Sequence, residues 1–86
     1  MAGIHNAVYL STRLEAGESV NIPKGYGLLV VSNITQGRTE LYLLWNGNTT
    51  ALSDTYGSIS ISRISEFSVS IKNTTNNINT MDIACI

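Results

Sequence analysis

Hydrophobic and polar residues alternate along much of this chain with a period of two. The clearest run is residues 58–72, SISISRISEFSVSIK. Its apolar positions are Ile59, Ile61, Phe67, Val69 and Ile71. This is the period of a strand with one dry face and one wet face. The alternation slips by one residue after Ile61, which predicts a turn or β-bulge at residues 63–66 between two strands, at 58–62 and 67–72.

Further short apolar or alternating segments predict the remaining strands. These segments are residues 8–14, 18–22, 28–32, 40–45, 49–52 and 78–86. The first two are separated by a turn-sized break, so we expect them to pair with each other. Asn46-Gly47 favours a type I′ hairpin turn, which would fold the strand at 49–52 back onto the strand at 40–45.

About eight short strands with turns at close spacing, and no segment of helical period, predict an all-β fold. The expected architecture is a small antiparallel β-sandwich, jelly-roll-like, that forms one domain over residues 1–86. Residues 1–7 are predicted to be a flexible N-terminal tail. A domain of this size buries only roughly 60 to 65% of the surface that its unfolded chain exposes, so an isolated copy is expected to be marginally stable.

Two of the predicted strands are apolar on both faces, at residues 28–31 and 41–45. In an antiparallel sheet this pattern means that each face is covered. A loop over a central strand would explain it. A subunit interface would explain it too, because a two-sheet sandwich of this size has only one interior layer. We favour a homo-oligomer, a trimer or another closed ring. The interface residues expected on this basis are Leu28, Val30, Leu41 and Leu43.

Composition excludes several classes of partner. Only 13% of the residues are charged, the net charge is -1 and the five basic residues are scattered. Nucleic acid and anionic lipid both require clustered Lys and Arg, so neither is an expected partner. No run approaches the roughly 18 to 20 apolar residues of a membrane span, and the first six residues lack the features of a signal peptide. The single Cys85 cannot form an internal disulfide and is expected as a small hydrophobic residue in the last strand, in a chain folded in a cytoplasm.

The chain offers little for catalysis, and we predict that it is not an enzyme. His5 is the only histidine and lies in the predicted tail, so no positioned base can be argued. One Cys and one His cannot form a structural zinc site, and no cofactor is expected. The carboxylates are isolated in sequence and are expected to be solvated surface charges. They are Glu15, Glu18, Glu40, Asp54, Glu66 and Asp82.

Aromatic residues beside Asn-rich loops are the best candidates for a binding site. Such side chains can stack on a sugar and hydrogen-bond to it. The candidate ligand-binding residues, in the loops 46–50 and 53–57, are Trp45, Asn46, Asn48, Asp54 and Tyr56. The alternative is that Trp45 and Tyr42 belong to the core or to an interface, and that the Asn-Gly pair only turns the chain.

Three segments carry a resemblance to a known family: GLLVVSN at 27–33, ELYLLWNG at 40–47 and SVSIKN at 68–73, followed by a hydrophobic C-terminal strand. Over residues 25–86 this order resembles the C-terminal domains of bacteriophage tail-fibre and related virion proteins. The resemblance implies a trimeric, non-enzymatic domain in a virion, at a fibre tip, that binds a glycan or protein on the host surface. Residues 14–23 are also similar to turns in jelly rolls and cupins, but the metal-binding histidines of cupins are absent.

A second hypothesis is a bacterial carbohydrate-binding, lectin-like module that uses the same loops as a monomer or dimer. A third is an enzyme subunit, which the missing base, nucleophile and cleft disfavour.

Overall fold

A computed structural model of the protein describes residues 7–86, which form eight β-strands and no helix. The strands are β1 (Val8–Leu14), β2 (Ser19–Ile22), β3 (Gly27–Asn33), β4 (Arg38–Trp45), β5 (Asn48–Ala51), β6 (Ile59–Ser65), β7 (Ser68–Asn73) and β8 (Asn79–Cys85). They form a five-stranded sheet in the order β1-β8-β3-β4-β5 and a three-stranded sheet in the order β2-β7-β6. Residues 1–6 of the predicted tail, which include His5, lie outside the described residues.

The two sheets are antiparallel throughout and enclose one hydrophobic core, which confirms the predicted small β-sandwich. The strand pairing is nested, because β1 pairs with β8 and β2 pairs with β7, as expected for a jelly-roll-like chain. Both sheets contribute alternate residues to the core. The core side chains are Leu14, Ile22, Leu29, Val31, Tyr42, Leu44, Val69, Ile71, Met81, Ile83 and Cys85.

The predicted pairing of the first two strands is wrong. Val8 of β1 lies opposite Cys85 in the five-stranded sheet, whereas Ser19 of β2 lies opposite Lys72 in the other sheet. The break between β1 and β2 therefore carries the chain from one sheet to the other. Its backbone is bonded to β7 instead, since the Gly17 N–H donates to the carbonyl oxygen of Asn73 (2.9 Å).

The slip predicted in the alternating segment is confirmed as a register shift between Arg63 and Ser65 of β6. One residue departs from the expected pattern. Phe67 was expected on the dry face with Val69 and Ile71, and the latter two are fully buried. Phe67 instead lies in the turn between β6 and β7 and is 64% exposed.

The predicted hairpin at Asn46-Gly47 is also confirmed, because Trp45 lies opposite Asn48 across the turn. Both turn residues have positive φ, 56° at Asn46 and 78° at Gly47, as a type I′ turn requires.

Cys85 is fully buried in the last strand, and burial raises the pKa of its thiol, although the charge of Lys24 lowers it slightly.

The four residues predicted as an interface lie together on the outer face of the five-stranded sheet. Leu28 of β3 is opposite Leu43 of β4, and Val30 is opposite Leu41. Leu28 is 36% exposed and Leu43 is 43% exposed. The described chain therefore leaves this apolar surface open to solvent and does not cover it with a loop.

Candidate functional site

Three turns meet at one end of the sandwich: residues 23–26 before β3, residues 46–47 between β4 and β5, and residues 66–67 between β6 and β7. The Gly47 N–H donates to the carbonyl oxygen of Gly25 (2.9 Å), which joins the first two turns. The third turn belongs to the other sheet. This end of the molecule is therefore built from both sheets.

Three aromatic rings form a cluster on these turns. Tyr26 lies edge-on to Trp45, with 4.9 Å between the ring centroids and 82° between the ring planes. Tyr26 also contacts Phe67, at a centroid distance of 6.0 Å. Trp45 is 69% exposed and Phe67 is 64% exposed, whereas Tyr26 between them is half-buried. Side chains this large are seldom left so open next to one another, and large exposed apolar patches commonly mark binding surfaces.

Polar and charged groups surround the rings. The Tyr26 hydroxyl donates a hydrogen bond to Glu66 Oε2 (2.7 Å). This hydrogen bond is the main reason why the pKa of Tyr26 is raised. Arg63 Nε donates to the carbonyl oxygen of Asn46 (2.8 Å), and Arg63 Nη2 lies 3.3 Å from Asn46 Oδ1. We call this cluster the aromatic end; its residues are Tyr26, Trp45, Asn46, Arg63, Glu66 and Phe67.

Two glycines allow the backbones at the aromatic end to approach closely. A Cβ atom on Gly25 would lie 1.7 Å from the carbonyl oxygen of Glu66, so no larger residue fits there without moving the β6–β7 turn. A Cβ atom on Gly47 would lie 2.2 Å from the carbonyl oxygen of Ser65. The turns are therefore in contact through their backbones, which fixes the positions of the rings that they carry.

Three of the five predicted ligand-binding residues lie at or beside this end. Trp45 and Asn46 belong to the aromatic end, and Asn48 is exposed directly across the hairpin from Trp45. In the alternative interpretation Trp45 and Tyr42 belong to the core or to an interface. The core placement holds for Tyr42, which is 8% exposed, and not for Trp45. Successive side chains of a strand point to opposite faces. Because Leu44 of β4 points into the core, its neighbour Trp45 points away from it.

The other two predicted residues, Asp54 and Tyr56, lie elsewhere. The Tyr56 N–H donates to Glu40 Oε2 (3.0 Å), and the Arg38 guanidinium lies over the Tyr56 ring, 4.7 Å from its centroid. Glu40 and Trp45 are separated along β4 by roughly 17 Å of extended strand. The structure therefore divides the predicted contact residues between two places.

Glu40 corrects the expectation that the carboxylates are solvated. It is 4% exposed and lies on the inner face of β4. Its two oxygens accept hydrogen bonds from the Tyr42 hydroxyl and from the Tyr56 N–H. A buried carboxylate requires such partners, so the physical reason for its burial is this pair of donors. Burial and the hydrogen bond to Glu40 raise the pKa of Tyr42 well above its ordinary value.

Sequence reasoning missed four residues of the aromatic end. The sequence pattern does not single out Tyr26, and it places Phe67 on the dry face of a strand. Arg63 and Glu66 were treated as isolated charges. A weak signal was available, because glycines on both sides of Tyr26 and the slip before Phe67 each place an aromatic residue at a turn rather than inside a strand. Nothing in the sequence indicated that the two turns meet.

Two open depressions lie at the opposite end of the molecule and share no residue with the aromatic end. One has a volume of about 310 Å³ and is lined by residues 16–17 and 72–76. The other has a volume of about 380 Å³ and is lined in part by Arg13, Glu15 and Glu18.

Within residues 7–86, no group of three or more His, Cys, Asp or Glu side chains could hold a metal ion. The same part of the chain has no helix long and apolar enough to cross a membrane.

Comparison with known proteins does not assign the chain. No family model matches it, and no curated protein or solved structure is significantly similar to it. The resemblance to tail-fibre domains therefore stays a prediction, and the geometry of the aromatic end is the basis for a functional proposal.

Proposed function

We propose that this domain is a non-enzymatic adhesion module that binds carbohydrate through its aromatic end. The observation that carries the proposal is the cluster of Tyr26, Trp45 and Phe67, with two of the three rings more than 60% exposed. The C–H bonds on one face of a sugar ring pack well against an aromatic ring, while its hydroxyls need polar partners. Arg63, Glu66 and the Asn46 amide lie beside the rings and supply such partners.

The rigidity of the aromatic end supports binding. Its turns contact one another through their backbones at Gly25 and Gly47, and the Tyr26 hydroxyl is held by Glu66. A surface whose side chains are already ordered loses less conformational entropy when it binds a ligand. An exposed cluster fixed in this way therefore suits a weak, specific ligand such as a surface glycan.

The arrangement of carboxylates favours binding over hydrolysis. A glycosidase uses two carboxyl groups that face each other across the scissile bond. Glu66 is the one carboxylate among the residues that form the aromatic end, and it accepts a hydrogen bond from Tyr26. The two depressions described above lie at the other end of the molecule.

The resemblance to tail-fibre domains favours a virion as the setting of this module over a bacterial lectin-like protein. In that setting the chain would be an oligomer, with a trimer implied by the resemblance, and would bind a glycan or protein on the host surface. Several copies held together would raise a weak affinity for each site to a much higher avidity for a surface that carries many identical sugars.

The proposal predicts that Trp45→Ala and Phe67→Ala weaken glycan binding about tenfold or more, because each removes a stacking surface. Binding would first be found on a glycan array and then measured by titration with the best ligand. Tyr56→Ala is the matched control, since it removes an aromatic side chain that is 44% exposed at a distant place.

Circular dichroism of each variant would establish that the fold is intact, and Trp45→Phe, which keeps a ring, should retain part of the affinity. Two results would contradict the proposal: a wild-type protein that binds no glycan, or an affinity that falls for Tyr56→Ala while Trp45→Ala leaves it unchanged. The second result would place the site beside Arg38 instead.

A further inference from the structure

The outer face of the five-stranded sheet is apolar over one half. The register aligns Tyr9 with Ala84, Ala84 with Val30, and Val30 with Leu41, which gives one apolar row across four strands. A neighbouring row contains Ile86, Leu28 and Leu43, in which the Leu28 and Ile86 backbones exchange two hydrogen bonds. Leu52 extends the first row through its N–H, which donates to the carbonyl oxygen of Leu41 (2.8 Å). We call this surface the apolar half; its residues are Tyr9, Leu28, Val30, Leu41, Leu43, Leu52, Ala84 and Ile86.

The other half of the same face is polar. The next row along the strands contains Ser11, Asp82, Ser32 and Thr39, in register with one another. The Ser32 and Thr39 hydroxyls are hydrogen-bonded to each other (2.9 Å). Asp82 of this row and Arg13 beyond it are the charged residues of the face in β1, β8, β3 and β4. The apolar half therefore contains no charged side chain, and its boundary follows a row of the sheet.

The apolar half exposes an unusually large surface for a chain of this size. Tyr9 is 69% exposed, Ile86 68%, Leu52 54%, Leu43 43% and Leu28 36%. At these fractions the side chains present on the order of 600 Å² of apolar surface, which is the upper end of what monomeric proteins leave open. Because the strands are already paired within the sheet, this surface can be covered only by packing a second surface against it.

We propose that a second copy of this chain covers the apolar half, so that two five-stranded sheets pack face to face in a dimer, in place of the trimer that the resemblance implies. Two copies would together bury on the order of 1,200 Å², which reaches the range of specific protein interfaces. Because this surface has no charged side chain, each partner can bury the other without removing a charged side chain from water. The net charge of -1 per chain also gives little repulsion between copies.

This inference extends beyond the aromatic end, because Trp45 at the end of β4 and Tyr26 just before β3 lie one row beyond Leu43 and Leu28, outside the apolar half. Packing through the two apolar rows leaves the aromatic rings at the margin of the interface. Self-association and glycan binding are therefore separable properties of the same sheet and can be tested one at a time.

The test compares Leu43→Arg with Thr39→Arg, which introduces the same charge on the same face and the same strand, but in the polar row. Sedimentation velocity from about 1 to 100 µM would measure mass against the 9.3 kDa of one chain. We expect wild type and Thr39→Arg to sediment as dimers, at twice the mass of one chain. Leu43→Arg should weaken association about 100-fold or more and run as a single folded chain, because it buries an unpaired charge in the interface.

Leu52→Asp provides a second probe at an exposed edge position and should behave like Leu43→Arg. Thermal melting by circular dichroism would verify that both variants remain folded. The inference is overturned if wild type is a single chain or a trimer at 100 µM, if Leu43→Arg and Leu52→Asp keep the wild-type mass, or if Thr39→Arg dissociates the dimer equally. Glycan binding per chain should be unchanged in Leu52→Asp, because the row of Leu43 separates Leu52 from Trp45. A failure of this inference therefore leaves the proposed function separately testable.

Discussion

At the scale of single residues, two side chains show that burial is not set by hydrophobicity alone, but also by hydrogen-bond partners and by position on a strand. Glu40 is buried because two donors satisfy its carboxylate, whereas Trp45 is exposed because it has the outward parity of its strand. Hydrophobicity alone assigns both of them to the wrong environment. Tyr42 is the residue that links Glu40 to the core, and its hydroxyl is therefore a direct test of how the buried carboxylate is maintained.

We predict that Tyr42→Phe lowers the free energy of unfolding by about 1 to 3 kcal/mol, because Glu40 loses a donor while it remains buried. Urea denaturation at neutral pH would measure the change. Tyr56→Phe removes a hydroxyl from a ring that is 44% exposed and should stay within about 0.5 kcal/mol of wild type. Equal effects of the two substitutions would show that the buried hydrogen bond has no special weight.

The same pair predicts a pH dependence. Burial and the hydrogen bond to Glu40 raise the pKa of Tyr42 above its ordinary 10.0. The folded chain therefore holds this proton more tightly than the unfolded chain does, and the stabilisation is complete below about pH 10 and is lost as the pH rises beyond it. The difference in stability between wild type and Tyr42→Phe, measured by urea denaturation, should accordingly be constant below about pH 10 and narrow progressively above it.

At the scale of elements, β4 (Arg38–Trp45) serves three surfaces at once. Its inner residues Tyr42 and Leu44 belong to the core, its outer residues Leu41 and Leu43 belong to the apolar half, and its last residue belongs to the aromatic end. The pleat explains this division, because successive side chains of a strand point to opposite faces. The turns, rather than the strands, determine how closely the two sheets approach at the aromatic end.

Gly25→Ala should disrupt the aromatic end, because its Cβ atom would overlap the carbonyl oxygen of Glu66. We expect a loss of about 1 to 3 kcal/mol in the free energy of unfolding. The fluorescence of Trp45, the single tryptophan, should also change. Gly57→Ala is the control: a Cβ atom there has open space, and its cost is limited to the positive φ of 73°.

Gly57→Ala should therefore leave the Trp45 emission unchanged even if it lowers stability. An unchanged emission spectrum for Gly25→Ala would show instead that the β6–β7 turn can move away without disturbing the rings.

At the scale of the whole molecule, the two sheets are joined at both ends. The end opposite the aromatic cluster is organised by Asn73, which is fully buried at the end of β7. Its Nδ2 donates to the carbonyl oxygens of Leu14 (3.0 Å) and Asn77 (2.8 Å), and its Oδ1 accepts from the Thr75 N–H (2.9 Å). One side chain thus connects the first strand, the seventh strand and the loop that leads to the eighth.

We predict that Asn73→Ala destabilises the fold by about 2 to 4 kcal/mol, since several buried backbone groups lose their partner together. Asn76→Ala, in the same loop but exposed, should change stability by less than about 0.5 kcal/mol. Chemical denaturation of both variants would decide, and similar losses would mean that the loop, not the buried amide, holds the two sheets together.

Much of the fold was predictable because strand period and turn chemistry are local properties. The slip near Arg63 and the hairpin at Asn46-Gly47 both follow from interactions between residues close in the chain. The partner of β1 was not predictable in this way. It pairs with β8 at the far end of the chain. A local sequence pattern does not indicate which distant segments come into contact.

The residues of the candidate site also fall into those that a local signal identifies and those that only long-range contacts bring together. Trp45 and Asn46 stood out because an indole beside an Asn-Gly turn is a local signal. Tyr26 and Phe67 did not, since each becomes part of a binding surface only where the turns of two sheets meet. Tyr56 was grouped with Trp45 by loop composition, and the length of β4 separates them.

The sequence by itself determined that this chain is a small all-β sandwich with a hairpin at Asn46-Gly47 and two strands that are apolar on both faces. Period, turn propensity and composition suffice for this, since they act over a few residues. Only the tertiary structure decided which strands pair, that the apolar positions form one continuous outer surface, and that Tyr26, Trp45 and Phe67 lie together. These properties depend on the register between strands and on the approach of two sheets, which are set by packing of the whole chain.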